Sequence, residues 1–331
     1  VAEAPLIVTT LRRAGTAAPY VKTSFERAGL RYAEAVCATE DETIAACKDA
    51  TGILGSGPSF TKKVIENLPK CRVIVQCSVG VNNVDVEACT EAGIMVANLA
   101  QFCVLEVRNH TIALMMAVNR KLRIADKMVR AGKWDAQSLY PVETVYGQTL
   151  GMLAFGTIPR LITPVAQALG MNVMVYDPFV DVALAAEYKV AFVTLEELLK
   201  YSDFVSNHIP LGPRTHHIIR EEHFRMMKPT AFFINTSRGP VVDEAGLYKA
   251  LKENWIAGAG LDVLEKEPPD PDNPMFQLEN VILTPHSAGG TSGRASGDRR
   301  WRQAVEEMMR VVGGDWPQWF INPQVKTRVR K

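Results

Sequence analysis

The segment from residue 150 to residue 177 constrains this chain more than any other. Leu150-Gly151-Met152-Leu153-Ala154 reads as an apolar strand and Arg160 opens a helical run closed by Gly170. Asn172-Val173-Met174-Val175-Tyr176 is a second strand, ending directly in Asp177. In a dinucleotide-binding unit the turn after the first strand brings backbone N–H groups to a pyrophosphate, and the helix N-terminus stabilises that charge. An acid about 20 residues on binds the ribose hydroxyls. The expected G-x-G-x-x-G reads Ala154-Phe155-Gly156-Thr157-Ile158-Pro159 here, and only the middle glycine is kept. Ala154 replaces the first glycine only if its backbone stays in the β or α region. Pro159 falls in the first helical turn, where proline is tolerated, but it adds bulk at a close helix–strand contact. The turn by itself leaves two readings open, a nucleotide site or a plain βαβ unit. If a dinucleotide binds, it is NAD: the Asp177 carboxylate repels a 2′-phosphate, and Pro178-Phe179-Val180 brings no cation to welcome one.

Short apolar runs alternate with helical patterns along the rest of the chain. Residues 6–10, 50–54, 73–77 and 94–97 read as strands, and the helix over 87–92 stops at Gly93. The series continues with strands at 191–193, 204–206, 231–234 and 257–263 and a last helix over 294–312. Strands spaced by helices predict parallel sheets with crossover connections. Residues 103–131 read as one long helix bridging domains or subunits, and 267–274 as a proline-rich loop. The length, 331 residues, suggests two such domains. Trp316 and Trp319 read as anchors of the returning C-terminus, and the basic tail 326–331 as a solvated end.

Charge and composition exclude several classes. With 37 Lys+Arg against 36 Asp+Glu there is no global field to hold nucleic acid or an anionic membrane. No apolar run approaches the ~18–20 residues that span a bilayer, and no signal peptide is visible at the start. The six cysteines show no metal-ligand spacing and read as small buried hydrophobes in a reducing cytoplasm. His216 and His217 are adjacent and, on an extended segment, point opposite ways, so no metal site is expected.

Three polar residues follow apolar strand-like runs, where an open α/β sheet presents its ligand crevice. Arg238 follows Ile234-Asn235-Thr236-Ser237, Glu267 follows Leu261-Asp262-Val263-Leu264, and His286 follows Ile282-Leu283-Thr284-Pro285. An arginine grips a carboxylate and a carbonyl oxygen in a fixed fork. An imidazolium gives that oxygen a proton, and a carboxylate orients the imidazole and stabilises its charged form. Each residue alone also has a bland reading as a surface ion pair, a loop acid or a half-buried histidine.

The ordered motifs Ser78-Val79-Gly80-Val81-Asn82-Asn83-Val84-Asp85, Asn207-His208-Ile209-Pro210-Leu211, Asn235-Thr236-Ser237-Arg238-Gly239, Leu261-Asp262-Val263 with Glu267-Pro268, and Thr284-Pro285-His286-Ser287-Ala288-Gly289 add a resemblance. From residue 71 to about 290 the chain resembles the D-isomer-specific 2-hydroxyacid dehydrogenases. The resemblance implies a discontinuous substrate domain over 1–99 and 288–331, with an NAD-binding Rossmann domain inserted over 100–287. It assigns Arg238 to the substrate, Glu267 to the histidine and His286 to the proton. It puts Val79 and Gly80 on the substrate carboxylate. Gly156, Thr157 and Ile158 fall on the pyrophosphate, Asp177 on the ribose, and His208 and Pro210 on the adenosine side. Thr236 falls at the cofactor and Asp262 near the nicotinamide amide. The implied activity interconverts a D-2-hydroxy acid and a 2-oxo acid, in a cytoplasmic homodimer. The alternative is a catalytically weak, NAD-sensing binding protein like the family's corepressors. His110 reads as a packing histidine.

Overall fold

The computed structural model describes residues 3–12, 17–290 and 294–330. The chain divides into two compact units, Val1–Cys103 with Gly290–Lys331, and Val104–Gly289.

The first unit is built on strands β1 (Leu6–Leu11), β2 (Arg31–Val36), β3 (Gly52–Ser56), β4 (Val73–Gln76) and β5 (Met95–Ala97). They pair in the order β2-β1-β3-β4-β5, all parallel. Ile53, Ile74 and Val96 are buried from neighbouring strands, and helices cover them, so these strands read as plain apolar runs. Strand β2 is the edge. Its residues are half to fully exposed, and Arg-Tyr-Ala-Glu-Ala-Val carries no apolar run, so periodicity passes over it. The helix Glu40–Cys47 is also absent from the sequence reading, although Thr39 and Glu42 form a reciprocal capping box at its start.

The returning C-terminal segment is fastened through its backbone and one amide. Phe320 bridges Ala97 antiparallel. The buried Asn322 accepts from Val96 N at 2.8 Å and donates to Ile94 O at 3.0 Å. Of the two expected anchors Trp316 stays 45% exposed, whereas the half-buried Trp319 fastens the segment through its backbone, its carbonyl accepting from Asn98 N at 3.2 Å and its N–H donating to Glu307 Oε1 at 2.9 Å. The tail is docked, not solvated: Arg330 N reaches Gly93 O at 3.1 Å, and Arg72 Nε donates to Arg330 O at 3.2 Å.

The second unit carries β6 (Thr149–Leu153), β7 (Asn172–Tyr176), β8 (Ala191–Phe192), β9 (Phe204–Asn207), β10 (Phe232–Asn235), β11 (Gly258–Leu261) and β12 (Val281–Leu283). Their order is β12-β11-β10-β9-β6-β7-β8, wholly parallel. Both sheets thus give the α/β class that the alternation of strands and helices predicts. The strand order reverses between β6 and β9, the switch point where doubly wound sheets open a ligand crevice. Alternate residues serve opposite faces: Val205 and Phe233 enter one core cluster, Phe204 and Ile234 the other.

The single long helix expected over 103–131 is two helices, Val104–Asn119 and Leu122–Arg130. Lys121 takes a left-handed backbone, φ 51, which ends the first and starts the second with no glycine or proline to mark it. The first helix buries Leu114, Met115 and Val118; the second buries nothing and leaves Leu122 and Val129 exposed. All six cysteines are buried and unbridged, and burial pushes the Cys47, Cys71, Cys77 and Cys89 thiols up to about 12, so they pack as apolar residues.

Candidate active site

Six strands of the second unit end, within a few residues, at a position singled out from the sequence, with Asp177 directly after β7. Gly156 follows β6, His208 and Pro210 follow β9, Thr236 and Arg238 follow β10, Asp262 follows β11 and His286 follows β12. Parallel pairing puts all these ends on one edge of the sheet.

His286 and Glu267 meet directly. Nδ1 of His286 lies 2.5 Å from Oε2 of Glu267, while Oε1 accepts from Leu264 N at 3.1 Å. Burial alone raises the Glu267 carboxyl. The hydrogen bond and charge of His286, the Leu264 N–H and the nearby Arg238 guanidinium outweigh it and hold the carboxyl below its usual range. The histidine side chain is 46% exposed, so with Nδ1 committed its other nitrogen is the one available to a ligand.

The loop carrying His286 hangs on Asp262, which is 1% exposed. One carboxylate oxygen accepts from Thr284 Oγ1 at 2.5 Å and Ser287 N at 2.9 Å, and the other from Ala288 N at 2.9 Å. His286 N adds a bond to Asp262 O at 2.8 Å. These bonds hold His286 in a left-handed backbone, φ 51, which a β-carbon ordinarily disfavours.

Arg238 emerges from a turn fixed by two buried amides. Asn207 and Asn235 face each other on neighbouring strands, with Nδ2 of the first 3.2 Å from Oδ1 of the second. Asn235 Oδ1 accepts from Ser237 N at 3.0 Å, and its Nδ2 donates to Arg238 O at 3.2 Å. Gly239 is required here: a β-carbon would lie 1.8 Å from Leu264 O. That close approach sets the arginine turn against the segment leading to Glu267.

At the other end of the row, Ala154 departs from the sequence expectation. Its φ is 75, the glycine-like conformation that the substitution was expected to avoid. The turn keeps its glycine geometry, with the strain carried by alanine. Gly156 caps the helix Thr157–Ala168, and a β-carbon on it would meet nothing within 4 Å. Thr157 and Ile158 open that helix, so their N–H groups are among its orphans, while the buried Pro159 contributes none. Both Asp177 oxygens accept backbone bonds, from Phe155 N at 2.8 Å and Phe179 N at 2.9 Å. The open face at Gly156, the helix start and the acid beside them fit a dinucleotide pyrophosphate and ribose.

His208 lies 2.9 Å from Ser206 Oγ, and burial pushes its pKa well down, so it is neutral. Pro210 is exposed, and its carbonyl accepts from Thr215 Oγ1 at 2.6 Å. Thr236 is buried 2.8 Å from Thr111. Val79 and Gly80 belong to the first unit, in the turn after β4. Val79 O takes the Asn98 amide at 2.6 Å and Gly80 O the Ser78 hydroxyl at 2.7 Å. Among the described residues no protein group accepts from their N–H groups.

The family described as "D-isomer specific 2-hydroxyacid dehydrogenase, NAD binding domain" matches residues 112–288. The chain belongs to the D-isomer-specific 2-hydroxyacid dehydrogenases. A glyoxylate reductase of Korarchaeum cryptofilum is 43% identical over 267 residues, 80% of each chain. The crystal structure of a glyoxylate reductase from Paecilomyes thermophila is similar at TM-score 0.86 and 25% identity, covering 97% of this chain and 99% of that one. The D-lactate dehydrogenase from Aquifex aeolicus, complexed with NAD and lactic acid, has TM-score 0.82 and 27% identity, with coverage of 93% and 96%. The chain is thus an NAD-dependent oxidoreductase of 2-hydroxy acids.

Two parts of the dehydrogenase site escaped the sequence reading. His110, expected only to pack, lies 2.9 Å from Thr284 Oγ1 and 3.4 Å from Asp262, braced against the His286 loop. Its signal was slight, a polar face at the start of an apolar helix. The buried Asn207–Asn235 pair was visible as asparagines closing two apolar runs, a poor place for an amide unless it bonds a turn. One expectation was wrong in its premise. His216 and His217 do not point apart: His217 has φ 48, and the two rings stack with centroids 4.0 Å apart.

Proposed function

We propose that this dehydrogenase reduces a small 2-oxo acid, glyoxylate to the achiral glycolate or hydroxypyruvate to D-glycerate, and runs the reverse reaction when the ratios demand it. The observation that carries the reading is the His286–Glu267 contact of 2.5 Å with Arg238 close enough to act on the same carboxylate. Arg238 binds the substrate carboxylate and the carbonyl oxygen. His286 donates the proton on its Nε2 to the carbonyl oxygen, and Glu267 stabilises the imidazolium before that transfer. Bound NADH supplies the hydride. Gly156, Thr157 and Ile158 hold its pyrophosphate, and Asp177 its adenosine ribose. His208 and Pro210 line the adenosine side, while Thr236 and Asp262 serve the nicotinamide end.

The 43% identity to a glyoxylate reductase supports the choice of a small acceptor. The exposed Leu122, Val129, Trp134 and Tyr140 are an apolar surface suited to a homodimer, and six buried thiols suit a reducing cytoplasm. Among the described residues no helix is long and apolar enough to cross a membrane.

The test mixes purified protein, NADH and a panel of glyoxylate, hydroxypyruvate and pyruvate and follows NADH absorbance. Turnover of a small 2-oxo acid is expected. The altered turn at Ala154 and Pro159 favours the opposing reading of an NAD-sensing, corepressor-like protein. Tight NADH binding without turnover across the panel decides for that reading.

A further inference from the structure

We propose a second site, for a divalent transition-metal ion of the zinc class, formed by His216, His217 and Glu265. It lies outside the proton-transfer set, and its chemistry does not depend on which 2-oxo acid is reduced. One ligand atom from each of the three residues lies within 4.8 Å of the others, and no ion is present. Nε2 of His217 stands 2.7 Å from Oε1 of Glu265.

The backbone makes this cluster possible. Neighbouring residues on an extended chain send their side chains to opposite faces. Here a turn through Gly212 and Thr215 precedes the pair, with His216 N bonded to Gly212 O at 3.2 Å, and His217 is left-handed at φ 48. Both imidazoles therefore stand on one side, stacked at 4.0 Å. A left-handed histidine is strained unless something holds it. His217 N is tied to Pro240 O at 2.9 Å, and Arg220 Nε donates to His217 O at 2.8 Å.

The carboxylate is supported as well. Glu265 N donates to Glu244 Oε2 at 2.7 Å, while Glu244 N donates back to Glu265 Oε2 at 3.3 Å. That leaves Oε1, the atom facing His217, on the side of the two rings. Outer bonds of this kind orient ligands and raise metal affinity.

Two imidazoles and a carboxylate suit zinc, nickel or copper and not magnesium or calcium, which take oxygen sets. Zinc bonds of ~2.0–2.2 Å in a tetrahedron put ligand atoms about 3.4 Å apart. The three ligand atoms, all within 4.8 Å of one another and with one pair at 2.7 Å, bracket that spacing. A fourth position stays for water.

The experiment is isothermal titration of the EDTA-treated, dialysed full-length protein with zinc sulfate. One equivalent of zinc per chain at micromolar affinity is expected. His216→Ala and Glu265→Gln should each weaken it by roughly 10-fold or more. His216→Ala, which leaves the His217–Glu265 contact and the backbone bonds of His217 in place, should retain the wild-type circular dichroism. Absence of zinc binding by the wild type overturns the proposal. So does wild-type affinity in His216→Ala, which would locate the ion elsewhere, for example on cysteines. A calcium chloride titration should give no heat of binding; equal calcium affinity would overturn the assigned metal class.

Discussion

The turn after β6 and the loops after β10, β11 and β12 sit on the same sheet edge yet tolerate change differently. In the loops the proposed reaction calls for particular side chains, and Arg238, Glu267 and His286 stand there. In the turn it needs a backbone path, and a path can be followed by the wrong residue at a cost. Ala154 takes φ 75 where glycine would sit without strain, and the Thr157–Ala168 helix still begins at Gly156 with an open face. Side-chain chemistry is all or nothing; backbone geometry is graded.

Substitution tests this difference. His286→Ala should lower kcat for 2-oxo acid reduction by about 1000-fold, since general acid catalysis contributes roughly 10²–10⁴. A rate within a few-fold of wild type, by NADH absorbance, breaks the proton assignment.

Glu267→Gln should cost about 10–100-fold in kcat and leave a pH signature. The Glu267 carboxyl is held below its usual range when folded, so its stabilisation is fully present above the ordinary carboxylate pKa. It is lost as pH falls through the depressed one. The stability gap between wild type and variant should hold from neutral pH to about 5 and close as the pH drops below about 4. Urea midpoints across that range measure it, and a gap widening with acid contradicts the ion pair.

Asp177→Asn keeps an acceptor for a backbone bond but removes the charge, and should relax NADH-over-NADPH preference by about 10-fold in kcat/KM. Unaltered preference would restrict Asp177 to bracing Phe155 and Phe179.

Ala154→Gly has the smallest expected effect. A left-handed residue with a β-carbon costs roughly 1–2 kcal/mol, and glycine's extra chain entropy returns about 0.5–1. The net gain, about 0.5–1 kcal/mol, should raise Tm by about 1–4 °C. A lower Tm would mean that the turn is not strained by alanine.

Much of this was legible in sequence where burial is two-sided. Strands β6, β9 and β10 are apolar runs because helices cover both faces, and the ends of β6 and β10 pointed to Gly156 and Arg238, whereas His208 came from the family resemblance alone. Strand β2 was not legible, since an edge strand with exposed residues has no run to show. The helix break at Lys121, the stacked histidines and the φ of Ala154 share another cause. Lys121, Ala154, His217 and His286 all hold left-handed backbones without being glycine. Local sequence argues against each, and distant bonds impose them, such as Pro240 O on His217 and the Asp262 carboxylate on the loop of His286. A pattern of neighbours carries no trace of a partner far along the chain.

The bonds described above for His286, Glu267 and the Arg238 turn have both partners within Val104–Gly289. The proton-handling apparatus is therefore a portable cassette. The bonds of its acid–base pair lie in one uninterrupted stretch of chain. Val79 and Gly80, which the resemblance puts on the substrate carboxylate, belong to the other unit, so exchanging them leaves these bonds in place. Such a division lets a lineage of enzymes diverge in diet without reinventing its chemistry.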